Sequence, residues 1–401
     1  MVRALTTAER IDWLQLCRSG GVGPQTFFKL LRRFGSARKA LDELPRLARE
    51  AGGEERWRRC RRDEAEAELA AIADLGCTLI ARDEAGYPRR LAEIADAPPL
   101  LIVRGRTELL DQPAIAVVGA RNASGNGRML AGSLAGELAQ AGLLVVSGLA
   151  RGIDTAAHQG ALSAGAPTMA VIASGVDVAY PADNAELMEH IAETGAIVSE
   201  RPLGAIPQAR HFPRRNRLIS GISLGVVVVE AAPQSGSLIT ARLAAEQGRE
   251  VMAVPGSPLD PRHRGTNQLL RDGATLVESA ADVLAALGPL VPDPTRTPRA
   301  GGSDASGVRN AVPGAGARRW AGAAQGDNSS APLQLPLEPA AEGDDVIGRV
   351  RERPGPEPLL VDELIRQCRA STAEVQRALM ELELDGRLER HPGNRVSLAA
   401  S

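Results

Sequence analysis

The chain changes its hydrophobic rhythm near residue 76. Before that point apolar positions recur at helical spacing: Ile11, Leu14 and Leu16, then Phe27, Phe28, Leu30, Leu31 and Phe34 after GGVGPQ. The first segment, 1–75, therefore reads as a self-contained helical domain of helix-hairpin-helix or SAM-like type. Its Gly21-Val22-Gly23 tripeptide fits two readings, a tight helix–helix turn or a set of backbone amides offered to a phosphate. The stretch RWRRCRRDEAEAELA reads as a charged, solvated helix.

From residue 76 short apolar runs alternate with amphipathic segments of helical length. Strands are predicted at 78–81, 100–104, 114–118, 143–147, 168–173, 196–199, 225–230 and 250–254. A run such as VVVV at 226–229, apolar on both faces, belongs in the middle of a parallel sheet. The fold class expected for 76–287 is α/β, a Rossmann-like doubly wound parallel sheet. Residues 288–343 are rich in Pro, Gly, Ala and Ser without periodicity and read as a flexible linker. In 344–401 three helical stretches, one opened by a capping box of Ser371 and Glu374, precede RLERHPGNRVSL, two strands around a turn. That is the pattern of a winged helix. Its third helix sets Glu374, Glu381, Glu383 and Asp385 against Arg377, so it reads as a protein-contact or dimer module before a reader of duplex DNA.

Composition narrows the class. No run of eighteen apolar residues occurs and MVRALTTAERIDW has no apolar leader, so a soluble, cytoplasmic protein is expected, with no membrane partner. Cys17, Cys60, Cys77 and Cys368 are scattered, without the close pairs of a zinc or redox site, and neither a metal nor a cofactor is expected. Lys29 and Lys39 are the only lysines, so a lone arginine carries little information, and aromatics are 2% of the chain, so an aromatic in a polar loop carries more.

The chemistry concentrates where strands end. Four loops rich in Gly or Ser follow predicted strands: GARNASGNG (119–127), SGLARGID (147–154), ASGVDVAYP (173–181) and EAAPQSGSLIT (230–240). Each leads into a helix, where free N–H groups and the positive helix end favour anions. None has the spacing of G-x-G-x-x-G or a Walker A lysine motif, which argues against ordinary dinucleotide or NTP binding. RHFPRRNR (210–217) enters by the same edge, in a chain whose formal net charge is only −2. Arg214, Arg215 and Arg217 fall in a predicted first helical turn, where cations are disfavoured, so an anionic partner is expected. With Phe212 beside them, the arginines read as a single-strand groove, guanidinium on phosphate and base on ring. Catalytic residues are not evident: His158 and His190 read as packing or surface residues and Asp154 as a helix-start acid.

VVGARNASGNG, SGLARGIDTAAHQGAL, VDVAYP, FPRRNRLISG, EAAPQSGSLITARLAAEQGREVMAVPGS and GTNQLLRDGA occur in this order, and the series resembles the DNA-processing protein A family (DprA, also called Smf), from about Tyr87 to Leu287. The resemblance implies a binding protein rather than an enzyme: a mediator that protects incoming single-stranded DNA, loads the RecA recombinase on it in natural transformation or recombination, and dimerises through its Rossmann-like domain. It implies DNA contacts from Arg121, Ser124, Phe212, Arg214, Arg215, Asn216 and Arg217, with Gly148, Arg151, Gly152, Ser235, Gly236 and Ser237 along the same edge. Many members have an aromatic where this chain has Asn126. A rival reading is a nucleotide-binding enzyme of phosphoribohydrolase type. Against it, Thr240, Ala241 and Arg242 stand where that class keeps its catalytic glutamate.

Overall fold

The computed structural model describes residues 4–50, 58–290, 359–361, 379, 388–391 and 395–398. Four helices come first: α1 (Thr7–Arg18), α2 (Pro24–Phe34), α3 (Ala37–Glu50) and α4 (Arg62–Asp74). Thr6 and Glu9 close a capping box on α1, and Pro24 occupies the first turn of α2, where its missing N–H costs nothing.

The α/β body begins with β1 (Thr78–Ala81), α5 (Arg89–Ala92), β2 (Leu100–Gly105), β3 (Ala114–Val118), α6 (Gly125–Gln140), β4 (Leu144–Ser147) and α7 (Ile153–Ser163). It continues through β5 (Thr168–Val171), α8 (Ala185–Thr194), β6 (Ala196–Ser199), α9 (His211–Ile222), β7 (Gly225–Val228) and α10 (Gly236–Glu246). β8 (Glu250–Ala253), α11 (Arg264–Arg271), β9 (Thr275–Leu276) and α12 (Ala280–Leu287) complete it.

All nine strands form one sheet in the order β1-β2-β6-β5-β4-β3-β7-β8-β9. From β6 through β9 every pairing is parallel, but β1 with β2 and β2 with β6 are antiparallel. The sheet is therefore mostly parallel, as the sequence pattern predicts, with one strand, β2, reversed against both its neighbours, β1 and β6.

Alternation sorts the strand side chains onto two faces. Ala114, Ala116 and Val118 of β3 join one core cluster, while Ile115 and Val117 join another beneath α6, α7 and α12. The latter face is continued over β1, β2, β5 and β6 by a cluster containing Trp13, Leu14, Phe27 and Leu41 beside Leu79, Ile102 and Ile197. The N-terminal helices pack on one another, with the Trp13 and Phe27 rings 4.9 Å apart, and the cluster they build runs on to the sheet.

A separate unit, 327–401, carries a three-stranded antiparallel sheet of β10 (Leu359–Leu360), β11 (Leu388–His391) and β12 (Arg395–Leu398) in the order β10-β12-β11. The hairpin β11–β12 falls where RLERHPGNRVSL predicts it. Leu359 and Leu360 pair with β12, although LLVDELIRQC reads as helix from its first residue. The acidic third helix of the sequence reading and most of 288–343 lie outside the described residues.

Candidate single-strand groove

β3 has β4 on one side and β7 on the other, and the chain proceeds from β3 to β6 in one direction and from β7 to β9 in the other. That reversal is the topological switch point, where loops diverge beyond the carboxyl ends and leave a crevice. A cleft of about 660 Å³ opens there, lined by the loops after β3 and β7, by the starts of α9 and α10, and by Pro261 and Arg262 beyond β8.

The first loop is fixed by Glu230, which lies at the end of β7's apolar run and is fully buried. Its carboxylate accepts from the backbone N–H of Ser124 at 2.9 Å and from the Ser124 hydroxyl. The same hydroxyl accepts from Gly127 N–H at 2.8 Å and caps α6. Ser124 is thereby committed to holding the loop. A Cβ at Gly127 would stand 2.5 Å from the carboxylate, so this position admits only glycine. Gly152 is similar: with φ of +82° and a Cβ that would approach the carbonyl of Ala120 to 2.3 Å, it lets the second loop press on the first.

RHFPRRNR divides into two halves. α9 starts at His211, so Phe212 and Pro213 lie in its first turn and Arg214 points out. Arg215 points in. Only 5% exposed, it donates through Nη1 to the carbonyls of Gly148, at 2.6 Å, and Val171. A Cβ at Gly148 would lie 2.2 Å from that nitrogen, so Gly148 serves to admit the guanidinium. Asp154 stands by as its counter-charge and accepts from the N–H of Gly148 at 3.1 Å. Burial lowers the Arg215 pKa to about 10, and burial raises that of Asp154 against the pull of Arg215 and the amides. Asn216 donates to the carbonyl of Gly236 at 3.2 Å, tying α9 to the start of α10. Arg217, 6% exposed, turns away from the cleft and pairs with Glu200 and, at 3.3 Å, with Asp96.

The expectation that Arg214, Arg215 and Arg217 form one phosphate-facing set therefore needs correction. Consecutive helical residues point about 100° apart, so a buried helix cannot present all three to one partner. Arg215 lines the cleft floor with its charge spent on carbonyls, and Arg217 belongs to the opposite side of α9. Arg151 is exposed but its guanidinium is held by Asp183, with Nε 2.8 Å from the carboxylate. At the floor of the cleft Ser235 caps α10, its hydroxyl 2.7 Å from that of Ser237, while Gly236 faces open space.

At the rim the picture reverses. Arg121, Arg210 and Arg214 are exposed, and none has an ion-pair partner among the described residues. The Arg121 guanidinium lies 4.8 Å from the centre of the Phe212 ring, whose other neighbour is the Tyr180 ring at 5.6 Å. Arg210 and Arg214, with burial the first cause and Arg201 the second, help hold the His211 pKa below its ordinary value. Arg210, Tyr180, Glu230 and Arg262 join the site without having been expected there. Arg210 opens RHFPRRNR, and the acid ending the VVVV run marks Glu230. Arg262 is brought in only because the loop after β8 ends on the same edge; Asp260 holds it at 2.7 Å.

His158 is a packing residue, as its helical position predicts: fully buried, Nδ1 2.8 Å from the Thr168 hydroxyl, its pKa lowered by burial to about 3. Among the described residues no cluster of three His, Cys, Asp or Glu side chains could hold a metal ion, and no helix is long and apolar enough to cross a membrane.

The family model described as DNA recombination-mediator protein A matches residues 78–288. Models of a DprA-like N-terminal helix-hairpin-helix domain and a DprA winged helix domain match 7–71 and 334–394. The DNA processing protein DprA of Streptococcus pneumoniae is 48% identical over 199 residues, covering 50% of this chain and 70% of that one. Protein Smf of Synechocystis is 34% identical over 328 residues, 78% of each chain. The crystal structure of the Streptococcus pneumoniae protein superposes with a TM-score of 0.57 at 37% identity, covering 70% of this chain and 98% of that one. With its α/β body, its N-terminal helices and its C-terminal winged-helix segment all matched, the chain belongs to the DNA recombination-mediator protein A family.

Proposed function

We propose that this chain is a cytoplasmic single-stranded DNA-binding recombination mediator that covers strands and delivers them to the RecA recombinase, acting as a homodimer through the 76–287 body. The observation that carries the reading is the rim of the cleft. The Arg121 guanidinium lies over Phe212, which also meets Tyr180, and exposed Arg210 and Arg214 flank Phe212 in sequence without an ion pair among the described residues, in a chain with only four Phe and two Tyr. Arginines attract a phosphate backbone of any sequence, and a ring stacks any base, so the combination suits strands without sequence preference. The buried floor supplies rigidity: Arg215, Asp154, Glu230 and Ser124 hold the loops in place and leave the rim to meet the strand. The segment 288–343 would tether the winged helix of 344–401 as a module for protein contacts.

The chain acts in this reading by binding rather than by turnover. The one acid lining the cleft, Asp154, is 7% exposed and engaged by amides and by Arg215. Thr240 and Ala241, where a phosphoribohydrolase would keep its glutamate, are buried in α10. The test is competition between labelled single-stranded and duplex oligonucleotides of equal length, followed by anisotropy against salt. Preference for the single strand, with a slope near −0.7 per phosphate engaged, is expected. With about four phosphates engaged, affinity would fall roughly 50-fold between ~50 and ~200 mM salt. Equal affinity for duplex, or a flat salt response, contradicts the reading.

A further inference from the structure

The aromatic surface that the groove leaves open is not chiefly that of Phe212. Its ring is half-buried, carries the Arg121 guanidinium 4.8 Å from its centre, and meets Tyr180 on another side. Tyr180 is 46% exposed, in a chain whose other tyrosine, Tyr87, is 3% exposed and hydrogen-bonded to the Pro98 carbonyl. The two rings stand 5.6 Å apart with their planes inclined at 52°.

An exposed ring on a slack loop would mean little, but this loop is pinned on both sides. Before Tyr180, the Ser174 hydroxyl donates to the Val178 carbonyl at 2.8 Å, and Gly175 N–H donates to Ala205 O at 3.0 Å. After it, buried Asn184 donates to the Leu149 carbonyl and to the Thr155 hydroxyl, both at 2.9 Å. The loop that carries the exposed ring beside Phe212 is therefore pinned, with little ordering left to lose on binding. Cations stand next to the ring pair: the Arg121 guanidinium lies 4.8 Å from the Phe212 ring, exposed Arg214 follows Phe212 by two residues, and on the Tyr180 side Asp183 is ion-paired with Arg151.

We infer that Tyr180 is a second base-stacking residue, forming with Phe212 and Arg121 a platform for two successive nucleotides of a single strand. The inference rests on the single-strand reading above. It extends the contact surface from the start of α9 across to the loop after β5.

Strands carrying 5-iodo-2′-deoxyuridine, which photocrosslinks to an aromatic ring it stacks on, test it with the full-length chain. Crosslinked peptides containing Tyr180 as well as Phe212 are expected. Tyr180→Leu should lose its crosslink and bind about 5- to 150-fold more weakly, the ~1–3 kcal/mol of one stacked base at tenfold per about 1.4 kcal/mol. Tyr180→Trp should retain both crosslink and affinity, and neither variant should shift the thermal unfolding midpoint. If Tyr180→Leu binds as tightly as wild type while Arg210→Ala/Arg214→Ala loses binding, the groove stands and the role of Tyr180 falls. If Tyr180→Leu lowers the unfolding midpoint and wild type gives no Tyr180 crosslink, the ring is a structural prop for Phe212. A wild-type chain that binds no single strand overturns both readings.

Discussion

Arg214 and Arg215 are neighbours of the same type in the same helix, and they do opposite work. Arg214 is exposed and without an ion pair among the described residues. Arg215 is 5% exposed, donates to two strand-end carbonyls and sits beside a buried carboxylate. The segment RHFPRRNR is thus a rim half of Arg210, Phe212 and Arg214 and a floor half of Arg215, Asn216 and Arg217. Charge density in a sequence says how many cations a segment carries; burial decides which of them can meet a ligand.

The largest expected effect belongs to the floor. Arg215→Ala strands the Asp154 carboxylate and two carbonyls in the interior, and breaking such a buried pair costs about 3–5 kcal/mol. A lowered denaturant midpoint should accompany whatever binding it loses; an unchanged midpoint would break the distinction between floor and rim. Next comes the rim ring. Phe212→Ala should weaken single-strand binding by ~1–3 kcal/mol with little change in stability. The reverse outcome, intact affinity and a lower midpoint, would move Phe212 to the floor.

The buried interior should also show itself in pH dependence. Burial holds His158 near a pKa of about 3, whereas an unfolded histidine titrates near ~6.5. Below ~6.5 the unfolded chain takes up a proton that the folded chain refuses, so stability falls by ~1.4 kcal/mol per pH unit from this group. Its contribution is fully present above ~6.5. His158→Gln should lose roughly 2 kcal/mol less than wild type between pH 6.5 and 5, read from unfolding midpoints. Parallel profiles for the two proteins would contradict that origin. The smallest effect is at the exposed Arg151–Asp183 pair. Asp183→Asn frees a guanidinium and should raise single-strand affinity by no more than about fivefold, the ~1 kcal/mol ceiling of an exposed ion pair. A fall in affinity would count against Arg151 facing the strand.

Much of this was legible because single residues carried it. VVVV predicts a central strand, and β7 is one, buried along its whole length between β3 and β8. Glycine- and serine-rich strand ends predict the cleft edge, and those after β3 and β7 do line it. Other features depend on distances no spacing reveals. The reversal of β2 against β1 and β6 is set by pairings that no periodicity reveals. The division of the arginines follows from which side of α9 faces the sheet, and residues 215–222 are buried on every side. Ser124 looks like a ligand group until Glu230, 106 positions away in sequence, is seen to occupy it.

The central claim is that the rim, not the floor, meets the strand. Anisotropy of a labelled single strand with Arg210→Ala/Arg214→Ala tests it most directly, run beside a thermal unfolding curve of the same protein. The account predicts weaker binding of every sequence, a salt slope shallower by about 1.4, which is ~0.7 for each of the two phosphates no longer neutralised, and an unchanged unfolding midpoint. Wild-type affinity and slope in this double variant would contradict it.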